Sequence, residues 1–479
     1  MPSDIAVYGL GVMGRNIALN MADHGLAVTV YNRTTSTTEA FVDGLSPDSG
    51  IRAAYDLAEL AASLARPRVI FLMATAGNVV DRVIEGLLPL LDAGDILIDG
   101  GNSNFKDTQR RWQALREKGI RYLGMGISGG EEGARNGPSI MPGGDPEAWP
   151  LVRDMFQRIA AKADDGEPCC RWVGEGGAGH YVKMIHNGIE YGDMQLIAEA
   201  WQLMRDGLGM PPDAIADTFA AWNKGVLGSY LVEITADILR VSEPDGSLRV
   251  DHILDSAGQK GTGRWTAIDS LETGVPLTLI TEAVYARTLS ALKQERVALA
   301  EHLGGLHPLA PDDAYAKLDA IRDALYAAKI ISYTQGFLQM RTAAAEYGWQ
   351  LDYGDIALLW RAGCIIRSRF LDDIKQAFER DPALPALPFD RFFADALRAA
   401  ESGWREAVVL GVRTGIPTPA LSAALSFYDG YRSARVPANL LQAQRDYFGA
   451  HTYQRSDRPA GQRWHTHWTD DRREEAVDD

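Results

Sequence analysis

Short apolar runs alternate with helical patterns in the first part of the chain. The runs IAVYGL, AVTVYN, VIFLMA, ILIDGG and IRYLGMGI are bounded by glycine, asparagine or other small residues, as buried strands are. Segments between them, such as MGRNIALNMADHG and WQALREKG, have the apolar spacing of helices. Because strands and helices alternate, we predict an α/β Rossmann-like domain with a doubly wound parallel sheet.

The pattern changes after about Gly177. Alanine- and leucine-rich helical periodicity continues to about residue 434, which predicts a large all-α domain. From residue 435 the chain is polar and rich in Arg, His, Tyr and Trp, so we expect a C-terminal tail whose last residues, REEAVDD, are frayed. The predicted domains are therefore 1–177, 178–434 and 435–479.

The helical part contains two similar stretches. VKMIHNG…IADTFAAWNKG…LVEI resembles AKIISYTQG…IALLWRAG…LDDI. The alignment pairs Lys183 with Lys329, Trp222 with Trp360, and Gly225 with Gly363. It predicts a duplicated helical bundle.

One helix of this domain carries polar groups where apolar ones are usual. In GHYVKMIHNGIEYGD, residues 179–193, helical spacing places Lys183, His186, Asn187, Glu190 and Tyr191 on one face. We call these five side chains the polar face. The ordinary interpretation is a partly solvated surface. A catalytic face is the alternative, and the motifs described below favour it.

Composition limits the class of protein. A chain of 479 residues is too long for one ordinary core, and 46% hydrophobic with 23% charged residues is globular composition. The net charge of −16, without a long basic run, argues against binding nucleic acid or an anionic membrane. The start of the chain passes directly into a strand pattern, so we expect no signal peptide, and no apolar run is long enough for a membrane span. We expect Cys169, Cys170 and Cys364 to be reduced thiols of a cytoplasmic protein.

A dinucleotide fingerprint follows the first strand. Gly9, Gly11 and Gly14 form G-x-G-x-x-G between a predicted strand and a predicted helix, whose N-terminus would face a pyrophosphate. The second strand ends in Asn32, Arg33 and Thr34 instead of the carboxylate typical of NAD-binding folds. A guanidinium beside hydroxyl groups suits a 2′-phosphate, so we predict NADP over NAD.

Two loops, one helix and the tail could bind anions. Ser128, Gly129 and Gly130 follow a strand and offer a hydroxyl with free N–H groups. Lys260, Thr262 and Arg264 lie in a glycine-rich loop, and Arg287 lies on a predicted helix. The tail adds Arg445 and His451 within QAQRDYFGAHTY, whose aromatic residues favour docking. Solvated loops with incidental charges are the alternative for each segment taken alone.

These motifs occur together in a single order. GLGVMG, NRT, DGGNS, SGGEEGARNGPSIMPGG, VKMIHNGIEYGD, DSAGQKGTGRW and QAQRDYFGAHTY span nearly the whole chain. Together they resemble the long-form decarboxylating 6-phosphogluconate dehydrogenases. The resemblance implies oxidative decarboxylation of 6-phosphogluconate with reduction of NADP, in the oxidative pentose phosphate pathway. It also implies a homodimer in which each C-terminal tail reaches into the partner subunit.

The resemblance also assigns roles to residues. It implies that Lys183 is the general base and Glu190 the general acid, without a metal. The substrate contacts that it implies are Asn102, Ser128, Gly129, Gly130, His186, Asn187, Tyr191, Lys260, Thr262 and Arg287, with Arg445 and His451 from the neighbouring subunit. The cofactor contacts that it implies are Gly9, Leu10, Gly11, Val12, Met13, Gly14, Asn32, Arg33, Thr34, Met73, Ala74, Thr75 and Asn102. As a base, Lys183 needs a pKa of about 7–8, which burial can supply.

Three positions depart from the family pattern. Gly11 stands where Ala is usual, Thr75 where many members have Lys, and Thr37 where a second basic residue is common. Thr75 puts one cofactor-side contact of the family in doubt, and Thr37 leaves Arg33 with less help at the 2′-phosphate, so we expect a weaker preference for NADP than is usual in the family. A simple β-hydroxyacid dehydrogenase and a non-enzymatic NADP-binding sensor remain as alternatives, although neither explains the QKGTGRW loop together with the polar face.

Overall fold

The structure is a computed structural model that describes residues 2–259, 261–304 and 317–477. The chain forms two compact units, Met1–Leu425 and Ser426–Asp479, and we call the second the tail unit. Within the described ranges, no helix has both the length and the apolar character needed to cross a bilayer.

The first unit begins with an eight-stranded sheet. Its strands are β1 (Ile5–Tyr8), β2 (Val28–Tyr31), β3 (Ile51–Ala53), β4 (Val69–Leu72), β5 (Ile96–Asp99), β6 (Arg121–Ser128), β7 (Ser139–Gly144) and β8 (Gly174–Glu175), in the order β3-β2-β1-β4-β5-β6-β7-β8. The connecting helices are α1 (Val12–Asp23), α2 (Thr35–Val42), α3 (Leu57–Ala62), α4 (Asn78–Leu87), α5 (Phe105–Arg116), α6 (Gly130–Asn136) and α7 (Trp149–Ile159), with a 3-10 turn at Leu88–Leu90. The Rossmann-like prediction is confirmed.

One strand departs from the fully parallel sheet that the sequence predicts. β6 and β7 pair antiparallel, from Leu123 opposite Gly144 to Ser128 opposite Ser139. Only the short helix α6 separates these strands, and a parallel crossover needs a longer connection. The other neighbouring strands of this sheet are parallel.

The sheet is buried on both faces because helices cover each of them. On β1, Ile5 and Val7 belong to one apolar cluster and Ala6 to the other. This alternation follows from the strand period of two, which sends successive side chains to opposite faces. A strand that packs between two apolar clusters has a continuous apolar sequence, as IAVYGL does.

The rest of the first unit is helical. Its helices are α8 (Ala178–Gln202), α9 (Pro212–Asn223), α10 (Tyr230–Ile238), α11 (Thr262–Thr273), α12 (Thr278–Ala291), α13 (Lys293–Leu303), α14 (Leu318–Tyr347), α15 (Tyr353–Leu359), α16 (Leu371–Arg380), α17 (Arg391–Thr414) and α18 (Pro419–Tyr431), the last of which continues into the tail unit. A π-helical turn covers Leu203–Gly207, and 3-10 turns cover Arg249–His252 and Leu387–Phe389.

The duplicated order that the sequence predicts is visible in these helices. Helices α8, α9 and α10 are followed later by α14, α15 and α16, so that Lys183 and Lys329 lie on the two long central helices. Lys183 belongs to the polar face, whereas Lys329 forms a buried ion pair with Asp193 of α8. The second lysine therefore joins the two long helices instead of facing a site.

The tail unit is more ordered than the sequence predicts. After α19 (Ala438–Gly449) come β9 (Tyr453–Gln454), β10 (Arg463–Thr466) and β11 (Glu474–Val477), which form an antiparallel sheet in the order β11-β10-β9. The expectation that the final residues fray is wrong for Glu474–Val477, because these residues pair with β10. The hydroxyl of Tyr453 also donates to Oε1 of Glu474 at 2.6 Å.

Candidate active site

Helix α8 carries the polar face directly against the sheet. A Cβ atom added to Gly126 of β6 would lie 2.3 Å from Cβ of Lys183, and one added to Gly143 of β7 would lie 2.4 Å from the backbone nitrogen of Gly179. Glycines in a strand permit such a close backbone approach. The approach buries Lys183, which is only 6% exposed.

Burial controls the charge of Lys183. Desolvation lowers its pKa to about 8, while nearby Glu190 and Cys364 act in the opposite direction. Its Nζ atom lies 3.4 Å from Nδ1 of His186. An amine in this state is partly neutral near pH 8 and can accept a proton, as a general base must.

His186 connects Lys183 to the end of β6. Its Nε2 atom lies 3.0 Å from Oγ of Ser128, and its Nδ1 atom lies 3.1 Å from Oδ1 of Asn187. Because a carbonyl oxygen only accepts, Nδ1 carries the proton and Nε2 accepts from the Ser128 hydroxyl. Burial, helped by Lys183, holds the pKa of His186 well below its usual range. The imidazole is therefore neutral, and its 4.0 Å approach to Glu190 is not an ion pair.

Asn187 extends this network to the next helix. Its Nδ2 atom donates to Oγ1 of Thr262 at 2.8 Å, and both side chains are buried. Thr262 begins α11, whose N-cap is Gly261 in a left-handed conformation, with φ of 98° and no side-chain cap. The first N–H groups of α11 are therefore available to an anion.

Glu190 lies two turns after Lys183 on the same face. Its side chain is 22% exposed. Burial raises its pKa, and Asp193 adds to this, while Lys183 and Arg287 oppose it. A carboxyl group with a raised pKa retains its proton to higher pH and can donate it.

Tyr191 and Arg287 form the outer end of the site. The guanidinium of Arg287 lies 3.6 Å from the ring centroid of Tyr191, and its Nη1 atom donates to the carbonyl of Gly258 at 3.3 Å. Gly263 packs on the same ring, since an added Cβ would lie 2.6 Å from it. Lys260, a substrate contact that the family resemblance implies, lies outside the described residues.

The loop after β6 has a backbone that favours glycine. Gly129 and Gly130 have φ values of 113° and 62°. A Cβ atom at Gly129 would also lie 2.5 Å from the carbonyl oxygen of Gly363. The loop that begins at Ser128 therefore packs against residue 363, at the start of the segment that holds Cys364.

The glycine turn after β1 has the geometry that a dinucleotide requires. Gly9 has a φ of 101°, and a Cβ atom at Gly14 would lie 1.9 Å from the carbonyl oxygen of Gly9. The backbone N–H of Leu10 donates to Oδ1 of Asn32 at 3.1 Å, which ties the turn to the end of β2. Helix α1 has no side-chain cap at Gly11, so its N-terminal N–H groups are free for a pyrophosphate. The turn fits NADP.

The remaining cofactor candidates lie along the same edge of the sheet. Five of them are exposed, namely Val12, Arg33, Thr34, Thr75 and Asn102. The remaining candidates lie just after the carboxyl ends of β1, β2 and β4. Asp99 holds the turn that carries Asn102, because it accepts from the backbone N–H of Gly101 at 3.0 Å and from the hydroxyl of Ser103 at 2.6 Å. In the described part of the chain, no group of three His, Cys, Asp or Glu side chains could hold a metal ion.

Arg445 and His451 both lie in the tail unit and are exposed. Arg445 is on α19, and its Nη1 atom donates to Oε1 of Gln442 at 3.1 Å. His451 lies just after α19, with its ring 6.0 Å from that of Phe448. The other described candidates belong to the first unit.

Sequence reasoning missed the residues that support the site. Gly124 and Gly126 recur two positions apart on β6, and this spacing in a strand is a signal for close approach. Asp99 anchors the turn that carries Asn102, and Cys364 is a buried neighbour of Lys183. Nothing in the sequence identifies Cys364 as a neighbour of Lys183, because the two are far apart along the chain.

Family models match almost the whole chain. The model described as the C-terminal domain of 6-phosphogluconate dehydrogenase matches residues 179–468. The model described as the NAD binding domain of 6-phosphogluconate dehydrogenase matches residues 4–174. The chain belongs to the 6-phosphogluconate dehydrogenase family. The family assignment from sequence motifs is confirmed.

Individual members of the family are similar over their full length. The decarboxylating 6-phosphogluconate dehydrogenase of Aggregatibacter actinomycetemcomitans is 56% identical over 97% of this chain and 96% of its own. The human enzyme of the same name is 56% identical over 98% of this chain and 97% of its own. A Plasmodium falciparum 6-phosphogluconate dehydrogenase, studied in apo form and with NADP⁺ or 6-phosphogluconate, superposes with a TM-score of 0.93 at 40% identity, covering 97% of this chain and 100% of that one.

Proposed function

We propose that this protein converts 6-phospho-D-gluconate to ribulose 5-phosphate and carbon dioxide, with NADP as the oxidant. The observation that carries the proposal is the buried Lys183, whose pKa is lowered to about 8 on a face shared with Glu190. Membership of the 6-phosphogluconate dehydrogenase family supports the choice of substrate. The reaction belongs to the oxidative pentose phosphate pathway.

The edge of the sheet would hold NADP. The glycine turn and the N-terminus of α1 receive the pyrophosphate, while Arg33 and Thr34 at the end of β2 receive the 2′-phosphate. Met73, Ala74, Thr75 and Asn102 follow β4 and β5 along the same edge. When bound, NADP accepts a hydride from the substrate.

Lys183 acts first as a base. In its neutral form it takes the proton of the C3 hydroxyl as the hydride leaves C3. The low pKa of His186 keeps the neighbouring imidazole neutral, so no second positive charge competes with the ammonium that forms. His186 and Ser128 then serve to hold the substrate hydroxyl and carboxylate groups.

The same lysine then assists the loss of carbon dioxide. The ammonium of Lys183 donates to the new C3 carbonyl and stabilises the negative charge that develops there as the C1 carboxylate leaves. Since the site is buried, this interaction is stronger than it would be in water. Lys183 passes this proton to the C3 oxygen as carbon dioxide leaves, so the products of this step are an enediol and a neutral amine.

Glu190 completes the reaction by protonating the carbon that was C2 of 6-phosphogluconate and becomes C1 of ribulose 5-phosphate, while Lys183 takes the proton from the C3 hydroxyl of the enediol. Its raised pKa keeps the carboxyl group protonated for longer as pH rises. It lies seven residues after Lys183 on α8, which places the two groups along one side of the substrate. Asn187, between them, is held by Thr262 and can position a hydroxyl group.

The phosphate would bind at the outer end of the site. Tyr191, Thr262 and Arg287 surround the N-terminus of α11, and Lys260 precedes it in the sequence. A phenol, a hydroxyl, a guanidinium and free N–H groups are suitable donors to a phosphate. Arg445 and His451 of a second subunit complete this end.

We also propose a homodimer in which the tail unit of each chain docks on the other. None of the side chains of α13 is buried, and Leu289, Leu299 and Leu303 on α12 and α13 are exposed. In the tail unit, Leu440 and Phe448 of α19 are exposed as well. We propose these helices as the contact surfaces, because exposed apolar side chains are covered when such surfaces meet.

The proposed location is the cytoplasm. Cys169, Cys170 and Cys364 are all free thiols and all buried. Reduced thiols are usual in the reducing environment of that compartment.

One assay tests the reaction directly. The full-length protein is incubated with 6-phosphogluconate and NADP, and NADPH absorbance and carbon dioxide release are followed together. Equal amounts of both products are expected. Failure to form NADPH would overturn the proposal, and NADPH without carbon dioxide would indicate a simple dehydrogenase. A parallel series with NAD measures how strongly Arg33 favours the phosphorylated cofactor.

A further inference from the structure

The tail unit is organised around one buried carboxylate. The side chain of Asp446 on α19 is completely buried. Its Oδ1 atom accepts from the backbone N–H of Thr452 at 3.0 Å and from Nδ1 of His465 at 2.9 Å. Its Oδ2 atom accepts from the backbone N–H of Thr466 at 3.1 Å and from Nε1 of Trp468 at 2.8 Å. The carboxylate therefore joins α19 to β10 and to the turn at residues 450–452.

The turn on which His451 lies has a backbone conformation that is unfavourable by itself. Ala450 and Thr452, on either side, have φ values of 47° and 59°. A residue with a Cβ atom in the left-handed region costs about 1–2 kcal/mol. The turn persists because the backbone N–H of Ala450 donates to the carbonyl of Asp446 at 2.9 Å and that of Thr452 to its carboxylate.

Gln442 links this turn to Arg445. Its Nε2 atom donates to the carbonyl of Thr452 at 2.6 Å, and its Oε1 atom accepts from Nη1 of Arg445 at 3.1 Å. A single amide thus sets the guanidinium of Arg445 relative to the turn that carries His451. A glutamate could not make both bonds, because it cannot donate to the carbonyl.

The positive charge of Arg445 remains available to an anion. Asp446 is its neighbour in the chain, but each carboxylate oxygen of Asp446 already accepts two hydrogen bonds. Burial would raise the pKa of Asp446, yet the bonds from His465, Thr466, Trp468 and Thr452 hold it below its usual value, so the group is ionised. Among the described residues, no carboxylate pairs with Arg445, whose bond to Gln442 is to a neutral amide.

We propose that Gln442 and Asp446 are positioning residues that preset Arg445 and His451 as one phosphate-binding pair. The inference rests on the proposed function, in which these two side chains reach the phosphate of the neighbouring subunit's substrate. Groups that are ordered before binding lose less conformational entropy when the ligand arrives. The tail unit therefore brings a prearranged pair of donors to the site.

The test is the steady-state kinetics of full-length variants. Gln442→Ala removes the link and leaves the bonds of Asp446 in place. We expect the KM for 6-phosphogluconate to rise about 5–10-fold, with kcat and the KM for NADP within about twofold of the parent. Gln442→Glu should raise the same KM further, because it places a carboxylate against Arg445. Turnover of gluconate, which has no phosphate, should not change in either variant.

Asp446→Asn tests the centre of the arrangement. Its amide nitrogen would face N–H donors, so we expect a larger rise in the KM for 6-phosphogluconate than with Gln442→Ala, and faster deuterium exchange at residues 450–452. If this variant fails to fold, Gln442→Ala and Gln442→Glu still decide the question. Gln444→Ala, an exposed position on the same helix, is the matched control and should leave all constants unchanged.

Arg445→Ala separates the possible failures. If it raises the KM for 6-phosphogluconate and the Gln442 variants do not, the positioning role is wrong and the proposed role of the tail stands. If Arg445→Ala itself leaves this KM unchanged, the tail does not reach the phosphate. The positioning role of Gln442 and Asp446 and the phosphate-binding role of the tail are then both wrong. A parallel loss of kcat and of NADP binding in the Gln442 variants would indicate a general structural role and would also overturn the inference.

Discussion

The Nζ atom of Lys183 and the Nδ1 atom of His186 lie 3.4 Å apart in the interior of the protein. Burial lowers the pKa of both side chains, so the imidazole is neutral and the amine is partly so. The site therefore holds an amine that is available in its neutral, proton-accepting form, with a neutral imidazole beside it. This relationship leads to the first two predictions.

Replacing Lys183 by methionine should abolish NADPH formation. The substitution keeps the length of the side chain and removes the amine, so the C3 hydroxyl has no base. We expect a loss in kcat of at least about 10²–10⁴-fold. Lys183 lies on α8, whereas the glycine turn that would hold NADP follows β1. The substitution does not alter that turn, so the Kd for NADP should stay within about twofold in a fluorescence titration. Lys375→Met, on the surface of α16, is the control, and near-normal turnover by Lys183→Met would refute the role of the amine.

Replacing Glu190 by glutamine should shift the pH profile. The base must be neutral, so kcat/KM rises with pH through about 8, the pKa of Lys183. The Glu190 carboxylate favours the ammonium form, and its removal lowers this pKa further. The acidic limb should therefore move to lower pH, while kcat falls less than in Lys183→Met because water can protonate the enediol. Glu379→Gln, on the surface of α16, should leave the profile in place, and a shift to higher pH would contradict the model.

Mixed dimers should test whether the tail acts between subunits. One subunit carries Lys183→Met and the other Arg445→Ala, and the heterodimer is purified with two different tags. If each tail serves its partner, the Arg445→Ala subunit retains its own Lys183 and receives an intact Arg445. One of the two sites is then complete, so activity at low substrate should be about half that of the parent. If each tail served its own chain, both sites of the heterodimer would be defective. Its activity would then be no higher than that of the Lys183→Met and Arg445→Ala homodimers.

The buried pair of Lys329 and Asp193 should matter for stability. Lys329→Met leaves Asp193 buried and unpaired, with Oδ1 already lacking a hydrogen-bond partner. We expect a loss of about 3–5 kcal/mol in the free energy of unfolding, and partial recovery when Asp193→Asn is added. Lys317→Met breaks the exposed pair with Glu406 and should lower the free energy of unfolding far less. Urea unfolding of these three variants and of the parent protein measures these differences, and equal effects at both sites would argue against a desolvated pair.

Two glycines of the same fingerprint should respond differently to alanine. At Gly14 the new Cβ would lie 1.9 Å from the carbonyl oxygen of Gly9, so the turn must open. We expect the Kd for NADP to rise about tenfold or more. At Gly11 the φ is −66° and nothing lies within 4 Å of the added atom, so the Kd should change little. Equal weakening in both variants would mean that the turn is looser than its geometry indicates.

Much of the fold follows from local signals. The apolar runs of β1, β4 and β5, the glycine turn and the helical spacing from Lys183 to Glu190 each depend on a few neighbouring residues, so the sequence predicts them well. The antiparallel pairing of β7 and the ordering of Glu474–Val477 were not predicted. Both depend on whether a segment pairs with the strand before it and in which direction, and the residues of a single segment do not specify that pairing.

The sequence by itself determined which chemical groups share one face of α8 and which turn receives a dinucleotide, because helix geometry and glycine conformation act over short distances. Only the tertiary structure decided that this face is buried. The glycines of β6 let α8 approach the sheet, and Thr262 of α11 holds Asn187. The charge of Lys183 depends on how much water is excluded from it, and that exclusion is produced by elements that are distant in the chain.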